Sequence, residues 1–396
     1  MTTRPTLRRT APLAVAALAL GLLASCSADE SDANTNSENK AATEPGYVQT
    51  NLVANWEAYH PQIVEPELEN AWGISLRPAG AGGHFWITAQ ASGKSFEYVG
   101  DVGGKKLFQD ELKEVTIPEV AADTGPTGTV FNEKGDGFVI TQKLEDAPAG
   151  EDSITAPAKF LFATDSGIVT AWTERENEDG TKSFPATSEI VFNQSKQGSS
   201  FLGMAITPAN DKILLADFGE RPGLVVVDDK FQVVKSPGFQ SPFSKEYQPF
   251  NVQTIGESIF VTYAAWGSPG EEEPAPGEGR LAEFSADGKL IAEWEGGKYL
   301  NAPWGVTQAP ESGFGEYDGA LLVSNFGDGT IAALDPETHQ AIDFLRRPDG
   351  HRVEIDGLWD IKFGNGKSLG RDDALYFAAG PGPEADGIFG RLTWEK

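Results

Sequence analysis

Asparagine, aspartate and tryptophan recur in this chain beside a Gly or Pro, just ahead of a short apolar run. "NAWGISL" supplies Asn70 and Trp72, "PFNVQTI" Asn251, "NAPWGV" Asn301 and Trp304, and "DGLWDIKFG" Asp356 and Trp359. A second set closes apolar runs: Asp217 in "LLADFGERPG", Trp266 in "YAAWG", Asn325 and Asp328 in "LLVSNFGDG", and Glu384 and Asp386 in "GPGPEADG". Amide and carboxylate oxygens are the ligands a hard cation such as calcium takes, and Asp217, Asn251 and Asn325 are the candidates to hold one. A metal so held polarises a lactone or ester while a carboxylate acts as base. The indoles of Trp72, Trp304, Trp359 and Trp266 offer a different use, stacking on a sugar or other flat ligand that the amides orient. Structure alone is the third use: Asn and Asp cap turns, Gly forms corners and indoles pack between repeated units.

Other chemistries find little support. His60, His84, His339 and His351 lack metal-ligand spacing. "NFGDGT" and "GNGKS" resemble phosphate loops only faintly, because no helix follows either one. No nucleophile elbow is present. A quinone-dependent dehydrogenase of the propeller type ranks below the other readings, for want of a histidine base or a basic cluster. With 31 Lys+Arg against 59 Asp+Glu, the chain is a poor partner for nucleic acid.

The elements that position these residues are repeats. Six corners open apolar strands: "AWGISL", "PTGTVFN", "FLGMAIT", "PFNVQTI", "PWGVTQ" and "LWDIKFG", spaced for the most part about 55 residues apart. Each is followed by a second, densely apolar strand: "HFWITAQ", "DGFVITQ", "DKILLADF", "ESIFVTYA", "GALLVSNF" and "DALYFAAG". Third strands such as "GLVVVD" and "GTIAALD", and fourth strands such as "KLIAEWEG", complete some units. Four antiparallel strands repeated about an axis predict an all-β, six-bladed β-propeller. "GYVQTNLVAN" (46–55) is a spare strand, expected to pair with "GIFGRLTWEK" (387–396) and close the ring. "KFLFATDSGIVTAWT" (159–173) reads as an extra hairpin in the second blade; were it a blade of its own, there would be seven. In such a meander the corners and the second-strand ends share one face, so the candidate residues gather at one mouth of the channel. The acidic loops 143–158 and 267–279 both leave second strands in this reading, and are expected to overhang that mouth.

The N-terminus reads as an address. Arg4, Arg8 and Arg9 precede an apolar run that ends in Leu23-Ala24-Ser25-Cys26, which resembles a lipobox with the chain's single cysteine as the acylated residue. Residues 1–25 are then a lipoprotein signal peptide, 26–45 a lipidated Cys26 with an acidic tether, and 46–396 the propeller. A lipid anchor in the cell membrane, with the domain on the extracytoplasmic face, is the expected location.

"YVQTNLV", "NAWGI", "PTGTVFN", "PFNVQTIG", "NAPWGV", "GALLVSNFGDGTIAALDP", "IDGLWDIKFGNG" and "ALYFAAGP", in this order, resemble an uncharacterised family of secreted bacterial six-bladed propeller proteins. The resemblance implies an exported propeller and brings no catalytic residues with it. Ala71 stands where proline is common in that family, and the loop 267–279 is more acidic than usual. The expected function is binding of an unidentified small molecule, glycan or protein at the corner-face mouth, ahead of metal-dependent hydrolysis of the lactonase kind.

Overall fold

The computed structural model describes residues 44–144, 152–235, 238–294 and 296–396. Residues 1–43, which include the expected signal peptide, Cys26 and most of the expected tether, and residues 145–151 of the 143–158 loop lie outside the described residues. Residues Thr43–Lys396 form one compact unit.

Its sheets are six antiparallel blades, named here in chain order from inner strand outward. Blade one is 71–76, 85–89, 94–98 and 114–116; blade two is 126–131, 160–164, 168–172 and 189–193. Blade three has 201–206, 212–217 and 223–228 among the described residues; blade four has 247–255, 258–268, 279–285 and 290–294. Blade five is 303–308, 321–325, 331–334 and 341–344, and blade six is 358–363, 374–379, 388–395 and, from the other end of the chain, 46–54. The inner strands neighbour one another in ring order, with 358–363 lying beside 71–76. The chain is thus a six-bladed β-propeller, and the strand 46–54 closes it, with Tyr47 opposite Trp394 and Ala54 opposite Ile388.

Second strands sit between neighbouring blades, which is why they are continuous apolar runs rather than alternating ones. Phe85–Ala89, Phe160–Thr164 and Ala374–Ala379 are buried along their whole length. Blade two corrects the sequence assignment on this point. Its second and third strands are 160–164 and 168–172, the run read as an extra hairpin. The inserted hairpin is instead 139–143 paired with 153–157, and its first strand alternates exposed and buried residues. Because it joins the first strand of blade two to the second, it leaves from the face opposite the corners, so the described ends of 143–158 do not spring from a second strand beside the corner mouth as expected. The loop 267–279 does reach across corners: Gly270 N donates to Phe218 O of blade three at 2.9 Å.

In every blade the pairing of inner and second strand shifts register near the corner, between Ala71 and Ile74 in blade one and between Pro303 and Val306 in blade five, for example. Such bulges twist the strand and re-aim its side chains. At this level Gly73, Gly128, Gly203 and Gly305 bring inner strands together backbone to backbone. A Cβ on Gly73 would lie 2.5 Å from Thr127 O, and one on Gly128 2.7 Å from Met204 N. The channel is closed here by main chain.

Candidate functional site

The bulges turn one large side chain per corner toward the axis in five of the six blades. Trp72, Leu202, Phe250, Trp304 and Trp359 form a single cluster with Phe218, and half-buried Trp266 and Phe326 pack on it. Trp359 is sandwiched between Trp72, with ring centroids 3.5 Å apart, and Phe326 at 3.8 Å, while Trp304 meets both other indoles edge-on. Trp72, Trp304 and Trp359 are 4%, 1% and 2% exposed, so these three indoles stack on each other and have no free face for a ligand. Trp266 and Phe326 are the aromatic residues of this cluster that still reach solvent.

Between the indoles, polar side chains join each blade to the next. Thr88 Oγ1 accepts from Gly73 N at 2.7 Å and donates to Thr127 O of blade two at 2.7 Å, and Thr127 Oγ1 continues to Phe201 O of blade three at 2.6 Å. Ser324 repeats the pattern from blade five, accepting from Gly305 N and donating to Trp359 O. Asn251 Nδ2 and Thr262 Oγ1 of blade four both donate to Trp304 O. Trp304 Nε1 donates across the axis to Leu202 O at 3.2 Å.

The expected site residues are distributed as follows. Asp217 Oδ1 accepts from Ser200 N and Gly219 N, both at 2.9 Å, and burial pushes its carboxyl up. Asn325 accepts from Asn301 N and donates to Tyr299 O and Thr330 Oγ1, while Asn301 Nδ2 reaches Asp328 at 3.0 Å. Asp356 accepts from Gly382 N, and Asp386 from Asn55 Nδ2 and the Tyr59 hydroxyl. Among the described residues the Asn251 and Asn301 side-chain oxygens have no hydrogen-bond partner, and each lies over a glycine, where a Cβ would come within 2.0 Å (Gly203) or 2.3 Å (Gly327). The residues proposed for a metal therefore stand in three different blades, with Asp217 and Asn325 each closing its own corner. Among the described residues no group of three or more His, Cys, Asp or Glu is placed to hold a metal ion.

Asn70 belongs to a longer chain of bonds. Trp359 Nε1 donates to Asn70 Oδ1 at 3.0 Å, which fixes the amide orientation, so Asn70 Nδ2 donates to Glu384 at 3.1 Å and to Gln90 Oε1 at 3.2 Å. Gln90 Nε2 then donates to Asp165 Oδ2 at 2.7 Å, and Asp165 Oδ1 accepts from Gly125 N. Every donor in the relay is set by the indole at its start. Burial, only partly opposed by these hydrogen bonds, pushes the Asp165 carboxyl up to about 6.

The opposite end of the channel is open. A cavity of about 390 Å³ lies among the C-terminal ends of the inner strands of blades one, two, three, four and six, its walls including Ser75, Thr129, Met204, Gln253 and Lys362. At its base Asp360 is buried, its Oδ2 accepting from Ile74 N and its Oδ1 from Gln253 Nε2 and Ile361 N. Gln253 Oε1 in turn accepts from Val306 N. Burial pushes the Asp360 carboxyl up, with the Lys362 ammonium 3.7 Å away as the strongest opposing influence. Sequence reading passed over Asp360, Gln253 and Lys362. Their signal was the alternation in "LWDIKFG", where polar residues two apart face one side of a strand.

No protein-family model matches the chain. Among known proteins it is similar to two uncharacterised proteins of Acanthamoeba polyphaga mimivirus, 27% identical over 84% of this chain and 76% of the relative, and 26% over 84% and 82%. Solved structures that align with it include proteins of unknown function from Bacteroides caccae (TM-score 0.39, 11% identity, 78% of this chain and 83% of that one) and Bacteroides thetaiotaomicron (0.44, 11%, 83% and 70%). The WD40 β-propeller domain of Doa1 aligns with a TM-score of 0.41 and 9% identity, over 87% of this chain and 97% of that domain. The propeller assignment rests on the sheet topology described above.

Proposed function

We propose that the protein is a lipid-anchored, extracytoplasmic binding protein that presents the corner face of a rigid propeller to a partner. The observation that carries this reading is the engagement of the corner-face groups with one another: indoles with indoles, hydroxyls and amides with the backbone of the next blade. Groups so fixed form a preorganised surface, which lowers the ordering cost of association. Trp266 and Phe326 give that surface an apolar patch. Glu271 and Glu272, on the short hairpin partner of the strand that carries Trp266, give it negative charge. A partner that fits is an amine-bearing glycan or a basic protein segment with a flat or apolar element. The hydrolase reading has weaker support, since Asp217 and Asn325 are each engaged by the groups of their own corner.

The test immobilises the full chain and titrates it with chitosan oligosaccharides and with polylysine. Binding should weaken with salt, and by about ten-fold in Trp266→Ala and in the Glu271→Gln/Glu272→Gln double variant. Binding indifferent to salt and to both variants would overturn the assignment of the face. Anchoring is tested separately: detergent-phase partitioning of the wild type and its loss in Cys26→Ser are expected, and a Cys26→Ser variant that partitions like the wild type would refute it.

A further inference from the structure

The protein carries 59 acidic against 31 basic residues, yet the walls of the far-mouth cavity carry two cations, and for Lys362 no hydrogen-bonded acid stands among the described residues. Lys362 lies on the axis side of blade six with its side chain 26% exposed, and its nearest acid is Asp360 at 3.7 Å, beyond hydrogen-bond distance. Asp360 is already satisfied by three donors. Arg77 donates to Glu174 at 2.7 Å through one terminal nitrogen, and its buried Nε has no hydrogen-bond partner among the described residues. Around these cations stand neutral groups: the Ser75 and Thr129 hydroxyls, 3.2 Å apart, the Gln253 amide and the Met204 thioether.

We propose that the far mouth of the channel is a second binding site, separate from the corner face, for a small hydroxylated carboxylate anchored on the Lys362 ammonium. The volume, about 390 Å³, falls within the range of small-molecule sites, and the wall mixes apolar side chains with polar ones that can fix a ligand's orientation. Lys362 supplies a point charge; Thr129 Oγ1 donates to Leu161 O at 3.1 Å, which leaves Ser75 Oγ to donate to Thr129 and to accept from a hydroxyl of the ligand, an arrangement that suits a carboxylate bearing hydroxyls. A dianionic phosphate is disfavoured, because Asp360 lies beneath Lys362 and Glu133 lines the rim. Asp360 keeps Lys362 over the axis, and its charge repels a monoanion bound to the ammonium less than it repels a dianion.

The sequence supplies a reporter. Met204 is the chain's one methionine beyond Met1, and it lines this cavity. In the full chain with methyl-labelled methionine, its resonance is assigned by its loss in Met204→Leu and followed against gluconate, sorbitol, succinate and inorganic phosphate. Gluconate should shift it saturably and sorbitol should not, with succinate and phosphate weaker. Lys362→Leu should weaken gluconate about ten-fold or more, and Lys362→Arg should restore part of the affinity. The proposal is overturned if gluconate leaves the resonance unmoved up to about 50 mM, a concentration far above that of any specific site. It is equally overturned if Lys362→Leu binds gluconate as the wild type does, or if phosphate binds more tightly than gluconate. None of these readouts depends on the corner face, so this site and the proposed function fail or stand separately.

Discussion

Asp165 ends the relay that begins at Trp359, and its carboxyl is pushed up to about 6 from an ordinary value of 3.8. The folded chain therefore binds a proton that the unfolded chain releases, and the associated stability is fully present below the unfolded value and lost as pH rises through about 6. Integrating those two values between pH 4.5 and 7.5 gives a loss of about 2 kcal/mol from this one group. Asp165→Asn removes the titration. It also leaves an amide N–H2 facing Gln90 Nε2, a mismatch that rotating Gln90 would only pass to Asn70, whose orientation the Trp359 indole holds. The variant should be destabilised at pH 4.5 by the mismatch and the lost titration together, and should recover about 2 kcal/mol relative to wild type by pH 7.5. Urea unfolding of both proteins at a series of pH values reads this directly. A stability difference between them that is constant across the range, or that widens toward pH 7.5, would refute the argument.

Two further outcomes follow from packing. Trp359→Ala should cost about 3–5 kcal/mol in urea unfolding, as expected for a buried aromatic; Trp359→Phe should cost less, mainly through the donor lost to Asn70 Oδ1, and should equal Trp359→Ala only if the ring sandwich contributes nothing. Glu97 is wholly buried opposite Trp86, with the Ser95 hydroxyl as the only polar neighbour favouring its charged form among the described residues, and burial, only weakly opposed by Ser95, pushes its carboxyl well up. Its stability contribution also falls as pH rises above the unfolded carboxyl value, and Glu97→Leu should stabilise the protein at pH 7.5 by about 1–3 kcal/mol; a destabilised variant there would show that Glu97 has a partner of its own.

Much of the architecture was legible because most blades repeat one conflict-free instruction: a corner containing glycine or asparagine, then two apolar strands. Blade two was misread because "GFVITQ" follows its corner directly and looks like a second strand, whereas its true second strand "FLFAT" comes after an insertion. The distinguishing signal was the period: Val139 and Thr141 are exposed and Ile140 and Gln142 buried, while Phe160–Thr164 is buried throughout. For the site, the convergence of Trp72, Trp304 and Trp359 was legible, but whether indoles at a mouth face a ligand or each other depends on how tightly the inner strands close. That distance is set by Gly73, Gly128, Gly203 and Gly305, whose lack of a side chain lets backbones touch. Thr88, Thr262 and Ser324 were passed over because a single hydroxyl in an apolar strand carries no period. Only their recurrence in "WITA", "FVTY" and "LVSN" marks them.

The blade that joins the two ends of the chain also dictates an order of assembly. Strand 46–54 is made first and placed last, since its neighbours are the final residues of the chain: Gly387 N, for one, bonds to Asn55 across 332 positions. Closing so long a loop is entropically costly and slow, so five blades can form while the sixth waits. During that interval the first strand is an unpaired edge with Tyr47, Leu52 and Val53 uncovered, a template for pairing with the same strand of another chain. A chain that loses its last strand keeps most of its blades, yet has no seam, and its earliest residues are left with nowhere to go but a neighbour.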